Sequence, residues 1–281
     1  MDFRRATPAD FEAEHRVLDA AEGGLRKRHG FAWRPPPLEA FSAAHAYLLE
    51  TDPARSWVAE EEGLVVAYAA AWERDGHWFL ADLFVHPSVQ ARGVGTRLLE
   101  LAWGEGPDRR MTLADAIQPV SNAMYARRGL VPATPMLELG GTPRAEPGSL
   151  KPAAPEPDAL AAVDRVAYGF DRAGDHVHWS GVEPPTVWLR GGEPVAYSYT
   201  MPGSRLGPIA GVDAAAAADA LRSELARAKG EVSFDAPGSA RELVEVALAA
   251  GLRITGPPGL LLLSRGVEPP RALVISGYWL F

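Results

Sequence analysis

The sequence predicts an α/β protein, a mixed sheet flanked by helices, laid down twice along one chain. Three observations lead there. Segments with apolar residues at helical spacing alternate with short β-branched and aromatic runs, the pattern of layered α/β folds. A stretch rich in proline, glycine and alanine, GGTPRAEPGSLKPAAPEPD at 140–158, interrupts the chain near its middle. The order of elements before that stretch recurs after it. With 281 residues, 47% of them hydrophobic, two cores of ordinary size can be filled. The expected division is 1–140 for the first domain, 141–158 for a linker and 159–281 for the second domain.

The first half opens with strand-like MDFRRA, after which Thr7 can cap a helix that has Pro8 at its first position, over ATPADFEAEHRVLDA. A second helix is expected over Leu38 to Glu50, where Leu38, Phe41, Ala44 and Leu48 share one face. The period then changes. SWVAE, LVVAYAAAW and WFLADLFV read as strands, separated by turns at EEEG and RDGH. A helix over Gly93 to Trp103, a strand in RRMTLADA, a short helix in SNAMYARR and a last strand in VPATPMLEL complete this half. In the second half TVWLRGGEPVAYSYT repeats the strand–turn–strand of WVAEEEGLVVAYAAA, with VAY at Val66 to Tyr68 and again at Val195 to Tyr197. VDAAAAADALRSELARA, EVSFD and ARELVEVALAA then follow as helix, strand and helix. The closing RALVISGYWLF, Arg271 to Phe281, has strand character and is expected to pack at the seam between the halves.

Composition excludes several classes. A formal charge of −8, from 28 basic and 36 acidic residues, gives no general attraction to nucleic acid or to an anionic membrane. The absence of cysteine removes disulfides, thiolate nucleophiles and cysteine-based zinc sites. The His-x-His of HVHW, His176 to Trp179, lacks a third ligand at useful spacing, so no metal is expected. The first residues have no signal-peptide core, and no run of 18 apolar residues follows, so a cytoplasmic protein without a membrane partner is expected.

The chemistry concentrates in QARGVGTRLLELA, Gln90 to Ala102, where two glycines stand at the start of an amphipathic helix directly after a strand. Such a turn aims unpaired amides into one small volume, and glycine lets phosphate oxygens approach them. A structural turn explains the same residues. VHPSVQARGVGTRLLELA resembles the acetyl-CoA-binding segment of the GCN5-related N-acetyltransferases, with Gln90, Gly93 and Gly95 on its pattern of Gln or Arg, two residues, Gly, one residue, Gly or Ala. SNAMYARRGL is similar to the later segment of that family, a tyrosine in a helix ahead of basic residues and Gly-Leu.

The resemblance implies two tandem acyl-CoA N-acyltransferase-like domains, the second degenerate because it lacks the glycine pair. It implies acetyl-CoA as cosubstrate, with Leu83, Phe84 and Val85 offering backbone groups to the pantetheine arm. Ala91, Arg92, Gly93, Val94, Gly95 and Thr96 would receive the pyrophosphate beside Gln90. Tyr125 would protonate the departing thiolate, unless it is simply a packed aromatic. Asn122 would bind the cofactor arm or cap its helix. Asp82, within an apolar strand, leads as the base; His86 and the run Glu60, Glu61, Glu62 are weaker candidates. Trp33 and Phe31 lie where this family often covers its acceptor. Direct transfer to the primary amine of a small molecule is the expected activity, with a homodimer allowed. The competing expectation is a non-catalytic acyl-CoA-binding or dimerisation protein.

Overall fold

A computed structural model describes residues 1–281 as two compact units, Met1–Val131 and Pro132–Phe281. No helix is long and apolar enough to cross a membrane.

The first unit runs β1 (Asp2–Arg5), α1 (Phe11–Arg28), α2 (Leu38–Thr51), β2 (Trp57–Glu61), β3 (Leu64–Arg74), β4 (His77–Val85), α3 (Val94–Trp103), β5 (Arg109–Asp115) and α4 (Pro119–Ala126). Its strands lie in sequence order, antiparallel from β1 through β4, with β5 parallel to β4. The two hairpins turn at Glu62–Gly63 and Asp75–Gly76, where both central residues have positive φ, the conformation that suits the twist of two-residue loops. Helix α1 begins where expected, behind Thr7, whose amide and hydroxyl both donate to Asp10 at 2.8 Å. It runs past the anticipated end near Ala20 to Arg28, straight through Gly23 and Gly24. Gly23 is there for contact, since a Cβ would stand 2.9 Å from the Trp33 ring.

The second unit contains β6 (Val131–Gly141), β7 (Lys151–Ala153), α5 (Pro157–Ala167), α6 (Ala173–Ser180), β8 (Thr186–Arg190), β9 (Glu193–Met201), β10 (Arg205–Gly211), α7 (Ala214–Arg227), β11 (Val232–Pro237), α8 (Arg241–Ala249), β12 (Arg253–Ile254), β13 (Gly259–Leu263) and β14 (Leu273–Val274). Its strands β7 through β10 are antiparallel neighbours and β11 is parallel to β10. Three expectations change here. Strand β6, read as the close of the first half, pairs with β11 of the second unit from Met136↔Pro237 to Gly141↔Val232. The stretch read as a linker is tied down, for Asp219 accepts from the amides of Ser149 and Leu150 at 2.7 and 3.0 Å, and β7 joins β8. The tail 271–281 enters the second unit's own sheet as β14, paired with β10. Arg172, wholly buried, donates to the carbonyl oxygens of Leu280 and Phe281.

The repeat read from two VAY triplets holds at the level of register. Tyr68 faces Val58 on β2 and Phe84 on β4; Tyr197 faces Val187 on β8 and Ala210 on β10. The amide of His86 donates to Val66 and that of Val212 to Val195, both at 2.8 Å. Each unit also buries a histidine against an acid from its first helix. His45 on α2 bonds Glu14 on α1 at 3.0 Å, and His176 on α6 bonds Asp164 on α5 at 2.8 Å. The repeated tyrosine completes both clusters: Tyr68 packs edge-on to His45, and the Tyr197 hydroxyl donates to Asp164 at 2.7 Å. A buried carboxylate without its partner is costly, so the cluster holds helix to sheet. His45→Ala and His176→Ala should each lower unfolding free energy by about 3 kcal/mol in a denaturant titration; a silent substitution at either would remove that role.

Candidate active site

The site begins where β4 and β5 part. Their parallel pairing covers His77↔Arg109 to Leu80↔Thr112 and then stops, although β4 continues to Val85 and β5 to Asp115. Thr112 pins the fork by donating its hydroxyl to the Leu80 carbonyl at 3.0 Å. Beyond it the backbone of Leu83, Phe84 and Val85 keeps β3 on one side and has no strand on the other. All three side chains are half-buried. This open edge is a ready acceptor for an extended ligand with amide groups.

An extra residue in β4 lies at the same level. Ala70 faces Asp82 while Ala71 faces Leu80, leaving Ala81 unpaired as a bulge. Its effect is to reverse which face the later side chains take. Phe79 is opposite Trp72 and Phe84 opposite Tyr68, so Phe79 and Phe84 share a face although five residues apart. Asp82 is turned by the bulge onto that face and reaches His45 Nε2 at 2.8 Å.

Asp82, His45 and Glu14 form one buried chain, with exposures of 5%, 3% and 2%. Burial opposes a charge on His45, but Asp82 and Glu14 outweigh it and raise the imidazole to about 9. Burial pushes Glu14 up against the pull of His45, so the chain holds its protons as a unit. Phe41 stacks on the imidazole with centroids 3.8 Å apart. Tyr125, on α4, is buried, and burial together with the charge of Asp82 raises its phenol well above the usual value. Asp82 and Tyr125 are therefore in electrostatic reach of one another. Asn122 donates to the Asp115 carbonyl at 3.0 Å, while its buried Oδ1 has no partner. It does not cap α4: Gln118 does, accepting from Val120. A buried acceptor beside an open strand edge fits an amide donor from a ligand.

At the end of β4 the chain turns through a loop with left-handed residues at Ala91 (φ 63°) and Gly93 (φ 80°) and enters α3. Space beyond Gly93 is open, with no atom within 4 Å of where a Cβ would stand, whereas a Cβ on Gly95 would lie 3.3 Å from Val85. Gly93 thus serves backbone conformation, and Gly95 serves the close approach of helix to strand. Val94 is buried and Thr96 exposed; the Thr96 hydroxyl contacts Met124 Sδ at 3.9 Å, linking α3 to α4. Gln90 donates to the Val85 carbonyl at 3.0 Å and so shapes the loop. Arg92 is engaged by Glu61 through two bonds of 2.6 and 3.0 Å on the surface.

Several weaker candidates have other roles. Glu60 pairs with Arg4 at 3.0 Å, Glu61 holds Arg92, and Glu62 sits in the hairpin turn. His86 caps the short turn after β4 through Ser88. Trp33 donates to Asp19 at 2.9 Å and locks the α1–α2 connection to α1, and Phe31 is exposed. Both nitrogens of His176 are engaged, one by Asp164 and one by Tyr199. The sequence reading missed Glu14, His45, Glu22 and Asp115. His45 could have been found as the one titratable residue on an otherwise apolar helix stripe. Glu22 and Asp115 bracket Arg26, bonded to it at 2.6 and 3.0 Å, and burial with the nearby Asp115 raises Glu22 to about 7.

Residues 19–130, which include every residue of this site except Glu14, match the model of the acetyltransferase (GNAT) family. No curated protein sequence matches the chain. Among solved structures, a tandem GNAT protein from the clavulanic acid biosynthesis pathway superposes with a TM-score of 0.57 at 16% identity, over 94% of this chain and 98% of that one. The chain has the GNAT acetyltransferase fold, in tandem. A GCN5-related N-acetyltransferase from Sphaerobacter thermophilus gives 0.66 at 17% identity, over 95% of this chain and 97% of that one. A Pyrococcus horikoshii protein assigned as an acetyltransferase gives 0.76 at 17%, over 100% and 95%. In this GNAT fold the glycine-started helix belongs to the first unit.

The buried chain makes stability depend on pH. His45 binds its proton more tightly in the folded state, so its contribution is complete below about 6.5 and is lost as pH rises toward 9. Urea titrations from pH 6.5 to 9 should show a loss on the order of 3 kcal/mol, absent in His45→Ala.

Proposed function

We propose that the protein is an acetyl-CoA-dependent N-acetyltransferase that passes acetyl directly to the primary amine of a small molecule, with its working centre in the first unit and a degenerate second unit. The observation that supports it most is the convergence on one short strand end of an unpaired backbone edge, a glycine-started helix and the buried carboxylate of Asp82, whose charge acts on the buried Tyr125 phenol.

The arrangement suits the substrate part by part. The pantetheine arm would add to the edge of Leu83, Phe84 and Val85, its amides meeting backbone groups and the free Oδ1 of Asn122. The pyrophosphate would rest on the amides from Ala91 to Thr96, at the positive end of α3. The thioester then lies near the fork, by Asp82 and Tyr125.

The chemistry follows from charge. An ammonium substrate must lose a proton before its nitrogen can attack the thioester carbonyl. Asp82, bonded to His45 in the buried Glu14–His45–Asp82 chain, is the carboxylate placed to take that proton. As the carbon–sulfur bond breaks, Tyr125, kept protonated by burial, can give its proton to the departing thiolate, and its phenolate takes the second proton from the acylated nitrogen, so that the one proton released in the reaction is left on Asp82. The products are an N-acetyl amine and free CoA thiol, and no protein nucleophile is required, in keeping with a chain without cysteine.

One observation favours a second reading, an acyl-CoA-binding protein without turnover: the acid–histidine–tyrosine cluster recurs in the second unit, where the glycine pair is missing, and so serves folding as well. The difference between the clusters lies at the partner of the other histidine nitrogen, Asp82 in the first unit and Tyr199 in the second. Asp82 is therefore the position at which catalysis and folding are separable.

Calorimetry and a free-thiol assay with an amine panel distinguish the two readings. Gly93→Asp should weaken acetyl-CoA at least about tenfold, by placing a carboxylate at the helix start; unchanged affinity would discard the phosphate-binding role. Tyr125→Phe should lower turnover about 100-fold with cofactor affinity almost unaltered, and equal turnover would remove its role as acid. Asp82→Asn should depress turnover across the pH range with acetyl-CoA still bound; an unaltered pH–rate profile would shift the base elsewhere.

A further inference from the structure

Strand β10 of the second unit corresponds to β4 residue by residue. Phe84 and Ala210 both face the tyrosine of VAY, Leu83 and Ile209 both face the residue after it, and Val85 and Gly211 the residue before it. The bulge recurs as well, with the register of β10 against β9 shifting between Leu206 and Ile209. So does the fork. Strand β10 pairs with β11 only at Arg205↔Ser233, and then the two strands separate.

In the second unit, however, the fork is filled. Val274 pairs with Ile209 and Leu273 with Ala210, the counterparts of Leu83 and Phe84, and the Gly211 amide donates to the Ala272 carbonyl at 3.0 Å. On the other side the Ile275 amide donates to the Asp235 carbonyl of β11 at 3.1 Å, and Arg205 reaches the Ser276 carbonyl at 3.3 Å. Leu273, Val274 and Ile275 are wholly buried. Gly207 makes the closest approach, for a Cβ there would strike the Ile275 carbonyl oxygen.

The helix end of the slot is filled too. Eight residues, 86–93, connect β4 to α3, but only Val212 and Asp213 connect β10 to α7. Asp213 caps α7 by accepting from the Ala216 amide at 2.6 Å, and Arg190, bonded to it at 2.8 and 3.2 Å, holds its carboxyl below the ordinary range. An anion that came to this helix start would meet a fixed carboxylate in place of free amides.

We infer that the chain's own segment 272–276 is the resident ligand of the second unit's slot, inserted as a strand where the first unit admits an acyl-CoA arm, so that the chain takes one acyl-CoA only. The comparison rests on the reading of Leu83, Phe84 and Val85 as the arm's binding edge. The presence of the strand in the fork does not.

Because the chain has no cysteine, Ile275→Cys gives it a single, buried thiol, and Val177→Cys, at a position 77% exposed, gives a control. Iodoacetamide should label position 275 roughly 100-fold more slowly than position 177, since labelling there awaits opening of the sheet. Saturating acetyl-CoA should leave the rate at 275 unchanged. Native mass spectrometry with saturating acetyl-CoA should find one acetyl-CoA on the wild type and never two. Faster labelling at 275 with acetyl-CoA, or a second acetyl-CoA on the wild type, would overturn the inference. If the wild type binds none while 275 stays protected, the first-unit reading fails and the filled slot stands. Should Ile275→Cys not fold, hydrogen exchange on the wild type reads the same opening at the Gly211 and Ile275 amides; protection there that acetyl-CoA does not lower supports the filled slot, and protection it lowers refutes it.

Discussion

Parallel pairing that stops after four residues is the constraint on which the first unit's site depends. If β4 and β5 stayed together to their ends, the backbone of Leu83 to Val85 would be satisfied by a strand and nothing could add to it. The Thr112 hydroxyl fixes the last paired level at Leu80, and the extra residue at Ala81 rotates everything after it. The same local irregularity therefore frees an edge and turns a carboxylate toward the helices. Neither would be of use without the other.

The carboxylate is kept in place by a cluster that both units possess. Its recurrence acts as an internal control. Glu14 with His45 and Asp164 with His176 are common to both units and belong to the fold, holding the first helices of each unit to the sheet. What the units do not share is Asp82, the long loop before α3 and an unfilled fork. The two units share the framework and differ in the residues around one opening, as expected when function is carried by a site grafted on a stable fold.

Much of this was legible in the sequence. Alternating periods located the strands and helices, both VAY triplets fell at equivalent register, and Gly93 and Gly95 stood at the helix start they suggested. The errors concern partners. VPATPMLEL was recognised as a strand, but period-two alternation carries no label for the sheet a strand joins, and it pairs with β11. Proline and glycine at 140–158 suggested a flexible linker, because composition cannot show that Asp219, some seventy residues away, bonds its amides. His45 was missed, and the buried role of His176 with it, for a similar reason. The acid of each histidine comes from another helix, so the pairing has no fixed sequence spacing. The bulge at Ala81 left no trace at all, since ADLF reads as an ordinary strand.

The strand lodged between β10 and β11 also orders the birth of the molecule. Strands β1 to β5 are all made within the first 115 residues, and their pairings are available while synthesis continues. The second sheet is different, because its gap is closed by residues 272–276, made about forty residues after β11. Until they leave the ribosome, β10 and β11 face each other across an unfilled split, with apolar walls and unpaired amides open to chaperones and stray strands. The second unit is thus the late and vulnerable half of the chain's biogenesis.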